Sequence, residues 1–201
     1  MGTLPSYKPS RNLQKYKNKN IIQRKLINSF LENLSNMINS IEAINVLDLG
    51  CGEGVVVKYL RGVNGNLKFE GVDVNEVAVD LAKKINPGVN FHVKDINELQ
   101  YDADSFDLVM LIEVLEHLED SGMVLNKIKK ISNKYFILSV PWEPLFSISN
   151  LLRGKNILRW GNDPEHLQKW SRDQFITFVS NYLSVTKVIS SFPWTIVLCE
   201  K

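Results

Sequence analysis

The segment Val46–Gly54 reads Val-Leu-Asp-Leu-Gly-Cys-Gly-Glu-Gly, so an acid lies within a short apolar run and glycine then occupies every second position. The apolar run is typical of a buried parallel strand, which helices cover on both faces. Gly50, Gly52 and Gly54 favour a turn whose backbone passes close to a ligand, because a Cβ atom there would collide with it. The apolar stretch 55–60 predicts a helix. A strand, a glycine turn and a helix in this order form the first unit of a nucleotide-binding α/β fold.

The spacing of these glycines narrows the class of ligand. A dinucleotide site has the pattern G-x-G-x-x-G, and Val55 occupies the position of the last glycine. A phosphate-binding P-loop needs Gly-Lys followed by Ser or Thr, which the turn lacks. Both classes are therefore disfavoured, and the pattern that remains is Asp-x-Gly-x-Gly-x-Gly, which starts at Asp48.

Two further acids end predicted strands. The segment 69–74 predicts a second strand that ends at Asp73 and Val74, and a third predicted strand is followed by Asp95 and Ile96. Asp73 lies at about the distance from the glycines where a ribose-binding carboxylate is expected. Because ligands of open α/β sheets bind at the carboxyl ends of the strands, these acids indicate one common site.

A fourth predicted strand, 105–113, leads into Glu-Val-Leu-Glu-His, and His166 follows much later in the chain. If the chain turns helically after this strand, Glu113, Glu116 and His117 share one face. We expect the two histidines to converge, because each follows a strand that borders the same crevice. Imidazole accepts a proton near neutral pH, and carboxylates with imidazoles also suit Mg²⁺, Mn²⁺ or Zn²⁺. Two roles stay open: catalysis by His117, His166 and Glu113, or a metal held by Glu113, Glu116, His117 and His166.

The glycine turn, taken together with the acids that end the next two strands, resembles the cofactor site of class I S-adenosylmethionine (AdoMet)-dependent methyltransferases. The resemblance spans about residues 44–201 and implies that AdoMet is the cofactor. It implies that the turn holds the methionine end, the second strand the ribose and the third strand the adenine. The implied cofactor-binding residues are Asp48, Gly50, Cys51, Gly52, Gly54, Asp73, Val74, Asp95, Ile96 and Glu113.

The E-x-x-E-H stretch with its later histidine resembles small-RNA 2′-O-methyltransferases, in which these residues hold a divalent ion. A related E-x-x-E-H occurs in ubiquinone-pathway O-methyltransferases. It also occurs in metal-free relatives, where the histidine lies in the acceptor pocket. The resemblance therefore implies either a metal centre or an acceptor pocket at Glu113–His117 and does not choose between them.

The order of the predicted strands and helices that position these residues indicates an α/β fold. This fold is a Rossmann-like seven-stranded methyltransferase sheet with helices on both faces. The antiparallel last strand is implied by the resemblance alone. Residues 1–43 are predicted to form an N-terminal arm and a lid helix, and residues 44–201 the AdoMet-dependent methyltransferase domain. The apolar, basic segment 142–166 is interpreted as a cap insertion after strand five, with a core-covering insertion as the alternative.

Two predicted helices carry specific expectations. The lid helix has apolar residues at helical spacing from Ile21 to Ile41. Tyr16, Asn20 and Arg24 are spaced four apart and are predicted to share a face toward the cofactor. After the second strand, Asn75 is a predicted N-cap. The inward residues of the helix that it caps are predicted to be Val77, Leu81 and Ile85.

Composition sets further limits. The chain has 201 residues, a formal net charge of +2 and two cysteines. This length suits one domain, and so small a charge argues against DNA as a partner. RNA is disfavoured because the sequence shows no added recognition module. Isolated cysteines, together with the lack of a signal pattern or a bilayer-spanning apolar run, predict a cytoplasmic protein. The sequence does not define the oligomeric state.

These observations predict methyl transfer from AdoMet to a small or lipid-linked acceptor. Oxygen is the preferred acceptor atom, because the candidate bases can take a hydroxyl proton. The amphipathic cap could also rest on a membrane surface. Two alternatives stand beside this prediction: a metal-dependent enzyme like the RNA 2′-O-methyltransferases, and a protein that binds AdoMet without catalysis.

Overall fold

The structure is a computed structural model that describes residues 20–152, 160, 163 and 165–201, apart from the side chains at 149 and 152. The predictions for the arm before residue 20, including Tyr16, and for the basic stretch 153–159 of the cap lie outside these residues. The strands are β1 (Asn45–Leu49), β2 (Lys68–Asp73), β3 (Asn90–Val93), β4 (Phe106–Ile112), β5 (Ser132–Pro141), β6 (Ser184–Ser191) and β7 (Trp194–Glu200). The helices are α1 (Ile21–Ile38), α2 (Val55–Val63), α3 (Glu76–Ile85), α4 (Ser121–Ile131), α5 (Leu145–Leu152) and α6 (Arg172–Ser180), with 3₁₀ turns at Ile96–Glu98 and Leu115–His117.

The seven strands form one sheet in the order β3-β2-β1-β4-β5-β7-β6. Strands β1 to β5 are parallel, and β7 runs antiparallel to both β5 and β6. Leu49 at the end of β1 is in register with Val72 of β2 and Leu111 of β4, so these strands end at the same edge. The predicted sheet, with its antiparallel last strand, is confirmed.

Helices cover both faces of the sheet, because alternate residues of the buried strands point to opposite sides. Val46 packs on the face that α1, α2 and α3 cover, whereas Leu47 packs on the face of α4 and α6. Capping residues fix where these helices begin: Asn20 caps α1, Asn75 caps α3, and Ser171 with Gln174 forms a capping box at α6. Among the described helices, none has both the length and the apolar character needed to cross a membrane.

Two details of the helix predictions are wrong. Helix α1 ends at Ile38 rather than continuing to Ile41. In α3, Val77 is 54% exposed, and the buried residues are Ala78, Val79 and Ala82. The inward face therefore includes alanines, which let the helix approach the sheet closely and do not stand out as an apolar stripe in the sequence.

Candidate active site

A cavity of about 370 Å³ opens at the carboxyl edge of β1, β2, β3 and β4. It combines the start of the glycine turn, both strand-ending acids, and Glu113 and His117 of the E-x-x-E-H stretch. Its lining residues are Leu49, Gly50, Val72, Asp73, Val74, Lys94, Asp95, Ile96, Asn97, Glu113, Val114, His117 and Leu118. Six predicted cofactor residues are in this set, whereas Asp48, Cys51, Gly52 and Gly54 are not.

The glycine turn is shaped by packing as well as by the space for a ligand. Gly50, Gly52 and Gly54 have φ angles of 74°, 51° and 69°, which L side chains rarely adopt. A Cβ atom on Gly50 would lie 2.4 Å from the Cγ2 atom of Val114. A Cβ atom on Gly54 would lie 2.7 Å from the Nδ2 atom of Asn86. The collisions expected from the sequence thus involve protein atoms at these two positions.

The Asp73 carboxylate connects the glycine turn to the end of β2. Its Oδ2 atom accepts a hydrogen bond from the Gly52 backbone N–H at 2.7 Å, and Oδ1 accepts from the Asn75 N–H at 2.9 Å. Both oxygens are therefore oriented by backbone donors, while the side chain also lines the cavity. A carboxylate held in this way keeps lone pairs for ligand hydroxyl groups.

Asp48 lies beneath the turn and is 2% exposed. Burial, and then the negative charge of Asp73, raise the pKa of Asp48 to about 8. Asp48 thus retains its proton near neutral pH and supports the turn as a neutral side chain. Burial is also the largest cause that raises the pKa of Cys51, which keeps this thiol protonated and unreactive.

The residues that follow β3 form another part of the cavity lining. Asp95 caps the 3₁₀ turn that follows β3, because its Oδ1 atom accepts a hydrogen bond from the Asn97 N–H at 2.7 Å. Ile96, Val74 and Leu118 add apolar surface to this end of the cavity. A flat aromatic ring with polar edges would suit this combination of apolar walls and one carboxylate.

Glu113 does not join the helical turn that the sequence suggested. It has a φ angle of 58°, so the chain changes direction there, and the 3₁₀ turn contains only Leu115–His117. The Glu113 N–H donates to the carbonyl oxygen of Ser139 at 3.0 Å and to its Oγ atom at 3.2 Å. The Oε1 atom of Glu113 accepts a hydrogen bond from the Nε1 atom of Trp194 at 2.5 Å.

The two histidines converge as the topology predicted. The rings of His117 and His166 are 5.1 Å apart between centroids and nearly perpendicular. Ligand atoms of Glu116, His117 and His166 all lie within 4.8 Å of one another, whereas Glu113 is not a member of this group. The backbone oxygen of Glu116 accepts from the N–H groups of Leu167 and Gln168 at 2.8 and 3.0 Å, which holds the His166 segment against the turn.

Ring orientation assigns the proton on His117. Its Nδ1 atom lies 2.9 Å from the backbone oxygen of Glu165, and a carbonyl oxygen can only accept a hydrogen bond. In the neutral ring the hydrogen is therefore on Nδ1, and the lone pair is on Nε2. For His166, burial and then the neighbouring His117 lower the pKa, although Asp163, Glu113 and Glu143 partly oppose them. Its imidazole is thus neutral at physiological pH and can accept a proton.

Several residues at this site were not predicted from the sequence. Phe146 of α5 packs on His166 with ring centroids 5.4 Å apart. Glu143 is 9% exposed and its Oε2 atom accepts a hydrogen bond from the Ser147 N–H at 3.2 Å. Trp194, which bonds to Glu113, comes from the far end of the chain. A signal for Glu143 was present, since an acid within an apolar stretch directly after a strand end follows the rule that identified Asp73 and Asp95.

A seven-stranded sheet in this order, with a glycine turn after its central strand and acids ending the two neighbouring strands, defines the class I AdoMet-dependent methyltransferase architecture. The family model described as a methyltransferase domain matches residues 41–176, and the chain belongs to this family of AdoMet-dependent enzymes.

A curated relative is the ubiquinone biosynthesis O-methyltransferase of Rickettsia bellii, which is 31% identical over 111 residues. These residues make up 54% of this chain and 46% of the relative, so the chain spans about half the length of such relatives. A Haloferax volcanii methyltransferase in complex with its Trm112 activator has a TM-score of 0.71 at 17% identity and covers 94% of each chain. Magnesium protoporphyrin IX methyltransferase from Synechocystis, with S-adenosylhomocysteine bound, has a TM-score of 0.69 at 16% identity, covering 96% of this chain and 95% of that one.

Proposed function

We propose that the protein transfers the methyl group of AdoMet to an oxygen atom of a small or lipid-linked acceptor within the 370 Å³ cavity. The observation that carries the proposal is that one cavity is lined both by Asp73 and Asp95 and by Glu113 and His117. When bound, AdoMet supplies an electrophilic methyl group on a sulfonium whose leaving group is a neutral thioether. The protein therefore needs to bind, align and deprotonate, and it need not protonate a leaving group.

The cofactor end of the cavity has a division of roles. Asp73, oriented by two backbone N–H groups, accepts hydrogen bonds from the ribose hydroxyls. Asp95 accepts from the exocyclic amine of adenine, and Val74 and Ile96 cover the faces of the ring. The methionine end lies along the glycine turn at Gly50, and Asp48, Cys51, Gly52 and Gly54 shape this turn without lining the cavity.

The acceptor end of the cavity holds the proton-accepting groups. The Nε2 lone pair of His117 is available because Nδ1 donates to the Glu165 carbonyl. The neutral imidazole of His166 lies beside it, and Glu113 also lines the cavity. A hydroxyl acceptor can lose its proton to either ring as the methyl group arrives, which favours oxygen as the acceptor atom.

The class of acceptor is supported by two observations. The curated relatives are named ubiquinone biosynthesis O-methyltransferases, although the matched residues make up only about a third to a half of their length. Helix α5, in the predicted cap, is apolar and presents Ile148 and Leu151 to solvent at 46% and 36% exposure. An apolar surface next to the acceptor end suits an acceptor with a hydrophobic part, and it could also contact a membrane surface.

A second candidate function is metal-assisted transfer, and the group Glu116, His117 and His166 favours it. Two imidazoles and a carboxylate suit Zn²⁺ or Mn²⁺ better than Mg²⁺, which prefers oxygen ligands. The bond from His117 Nδ1–H to a backbone carbonyl also resembles the second-shell contact that orients metal-binding histidines. A divalent ion held there would lower the pKa of an acceptor hydroxyl.

The cofactor assignment is tested by calorimetry with AdoMet and S-adenosylhomocysteine. Asp73→Ala should weaken binding by at least about tenfold, because hydrogen bonds to a charged group contribute about 1.5–3 kcal/mol each. Asp80→Ala, at an exposed position of α3, is the matched control and should leave affinity unchanged. Equal affinities for all three proteins would refute the assignment. AdoMet binding without turnover of hydroxylated aromatic or prenylated acceptors would support the non-catalytic alternative.

Titration of Zn²⁺ or Mn²⁺ into the protein distinguishes metal-assisted transfer from catalysis by an imidazole base without a metal. Binding should be lost in His166→Ala and retained in His92→Ala, since His92 lies on β3 and pairs with Glu70 instead. If an imidazole acts as the base without a metal, neither ion binds with a defined stoichiometry and chelators leave turnover unchanged. His117→Ala then lowers kcat. Efficient methylation of an RNA 2′-hydroxyl, with small and lipid-linked acceptors inert, would instead support the RNA alternative.

A further inference from the structure

Trp194 is a buried aromatic residue at the carboxyl edge of the sheet. It begins β7, is in register with Pro141 at the end of β5 and is 4% exposed. Its ring centroid lies 4.9 Å from that of Phe30 in α1, with the ring planes tilted by 49°. Phe30 is itself fully buried. The indole is therefore fixed between the first described helix and the sheet.

The indole N–H group is directed at the reaction site. It donates a hydrogen bond to the Oε1 atom of Glu113 across 81 positions of the chain, with a donor–acceptor distance of 2.5 Å. Indole nitrogen can only donate, so a carboxylate is a well-matched acceptor. A hydrogen bond to an ionised group is shorter and about twice as strong as a neutral one. This bond therefore defines where the Glu113 carboxylate lies.

The backbone of Glu113 adopts an unusual conformation, which hydrogen bonds to a neighbouring strand stabilise. Its φ angle of 58° is in the left-handed region, which residues other than glycine rarely adopt. The two hydrogen bonds from its N–H group to Ser139 hold this conformation. The unusual backbone directs the side chain toward the cavity, and the indole then limits the rotation of a side chain that has three rotatable bonds.

We propose that Trp194 is a positioning residue for methyl transfer: it holds the Glu113 carboxylate at the acceptor end of the cavity, with Phe30 of α1 packed on its indole ring. The inference rests on the proposed function, because Glu113 can orient an acceptor hydroxyl only if the reaction takes place in this cavity. It adds α1 and β7, which do not line the cavity, to the structure that sets the reaction geometry.

The pairing itself is tested without measuring activity. Protein labelled with ¹⁵N-tryptophan should give one indole N–H signal for each of its four tryptophans, and Trp194→Phe identifies the signal of Trp194 by its loss. Glu113→Gln replaces the charged acceptor with a neutral one of the same shape and should shift that signal alone. The signal of Trp170, which packs on Phe175 and Phe178, is the internal control. An unchanged Trp194 signal in Glu113→Gln overturns the proposal, whether or not an acceptor is known.

The positioning role is tested by a double-mutant cycle in kcat, with 3,4-dihydroxybenzoate as the acceptor probe. Trp194→Phe keeps an aromatic ring and removes the donor, and it should lower kcat by about 10- to 100-fold, as expected for loss of a hydrogen bond to a charged group. In the Glu113→Gln background the same substitution should lower kcat by less than about threefold, because the partner is already altered. In Trp194→Phe, whose residue does not line the cavity, S-adenosylhomocysteine affinity should change by less than about threefold, which shows that the fold is kept.

Trp170→Phe is the matched control and should keep kcat within about threefold of the wild type. Additive effects in the cycle would mean that Trp194 acts through general packing and would overturn the proposal. If the wild-type protein does not bind AdoMet or methylate the probe, the proposed function or its acceptor class fails, and the indole signals alone then decide the pairing. The two failures are therefore distinguishable.

Discussion

Asp48 should make the unfolding free energy fall as the pH rises. Burial and the charge of Asp73 raise its pKa in the folded protein to about 8, from 3.8 for an ordinary aspartate. Between these two values the folded state holds a proton that the unfolded state has lost, so stability decreases with increasing pH. Each tenfold change in proton affinity is worth about 1.4 kcal/mol, so the full loss has an upper limit of about 6 kcal/mol.

Asp48→Asn should remove this dependence, because the amide has the shape of the protonated acid and never ionises. Urea unfolding of cofactor-free protein at pH 5, 6.5 and 8 measures it: the variant should gain stability relative to the wild type with each step, and the gain should reach several kcal/mol at pH 8. A difference between the two proteins that stays constant with pH would refute the reasoning, because it would show that Asp48 ionises normally in the fold.

Asp107 provides a control of opposite sign. Burial acts to raise its pKa, but hydrogen bonds from the backbone of Asn45 and Ile44 and from the side chain of Asn133 outweigh it, and the pKa is lowered. Its stabilising effect is present above the ordinary pKa of 3.8 and is lost as the pH falls toward the lower folded value. Asp107→Asn should therefore destabilise the protein equally at pH 5, 6.5 and 8, and the deficit should shrink only in stronger acid.

Three further predictions follow from local geometry. Gly54→Ala should lower the free energy of unfolding by about 1–3 kcal/mol, since φ is 69° and the new Cβ would meet Asn86. Gly62→Ala in α2, with nothing within 4 Å of its Cβ position, should raise it by about 0.5–1 kcal/mol in the same urea assay. Ser171→Ala should cost about 1 kcal/mol through loss of the capping box, and an unchanged midpoint would show that α6 is held by packing alone.

Much of the cofactor end of the site could be predicted from the sequence, because each of its features is local. Asp73 and Asp95 each end a strand, and parallel strands end at the same edge, so neighbouring acids meet without further information. The convergence of His117 and His166 was predictable for the same reason. The assigned chemical roles of these residues stay predictions.

The remaining features depend on contacts that no local pattern reports. The bond between Trp194 and Glu113 joins strands that are far apart in sequence, and the direction of Glu113 depends on a φ angle that favours glycine. The prediction of which face of α3 points inward was wrong by one position, because Ala78 and Ala82 pack inward and the larger Val77 does not. Gly50 and Gly54 were identified correctly as positions without room for a Cβ, but Val114 and Asn86 occupy that room.

The position of β7 has a consequence for how the protein is made. Although β7 follows β6 in sequence, it lies between β5 and β6, so the edge of β5 has no partner until residues 194–200 arrive. During synthesis most of the sheet can assemble while this apolar edge is still open to other chains, and such an edge promotes aggregation. Pairing across a long sequence separation also slows folding. Dependence on chaperones and sensitivity to loss of β7 should therefore both arise at the β5 edge, from Tyr135 to Pro141.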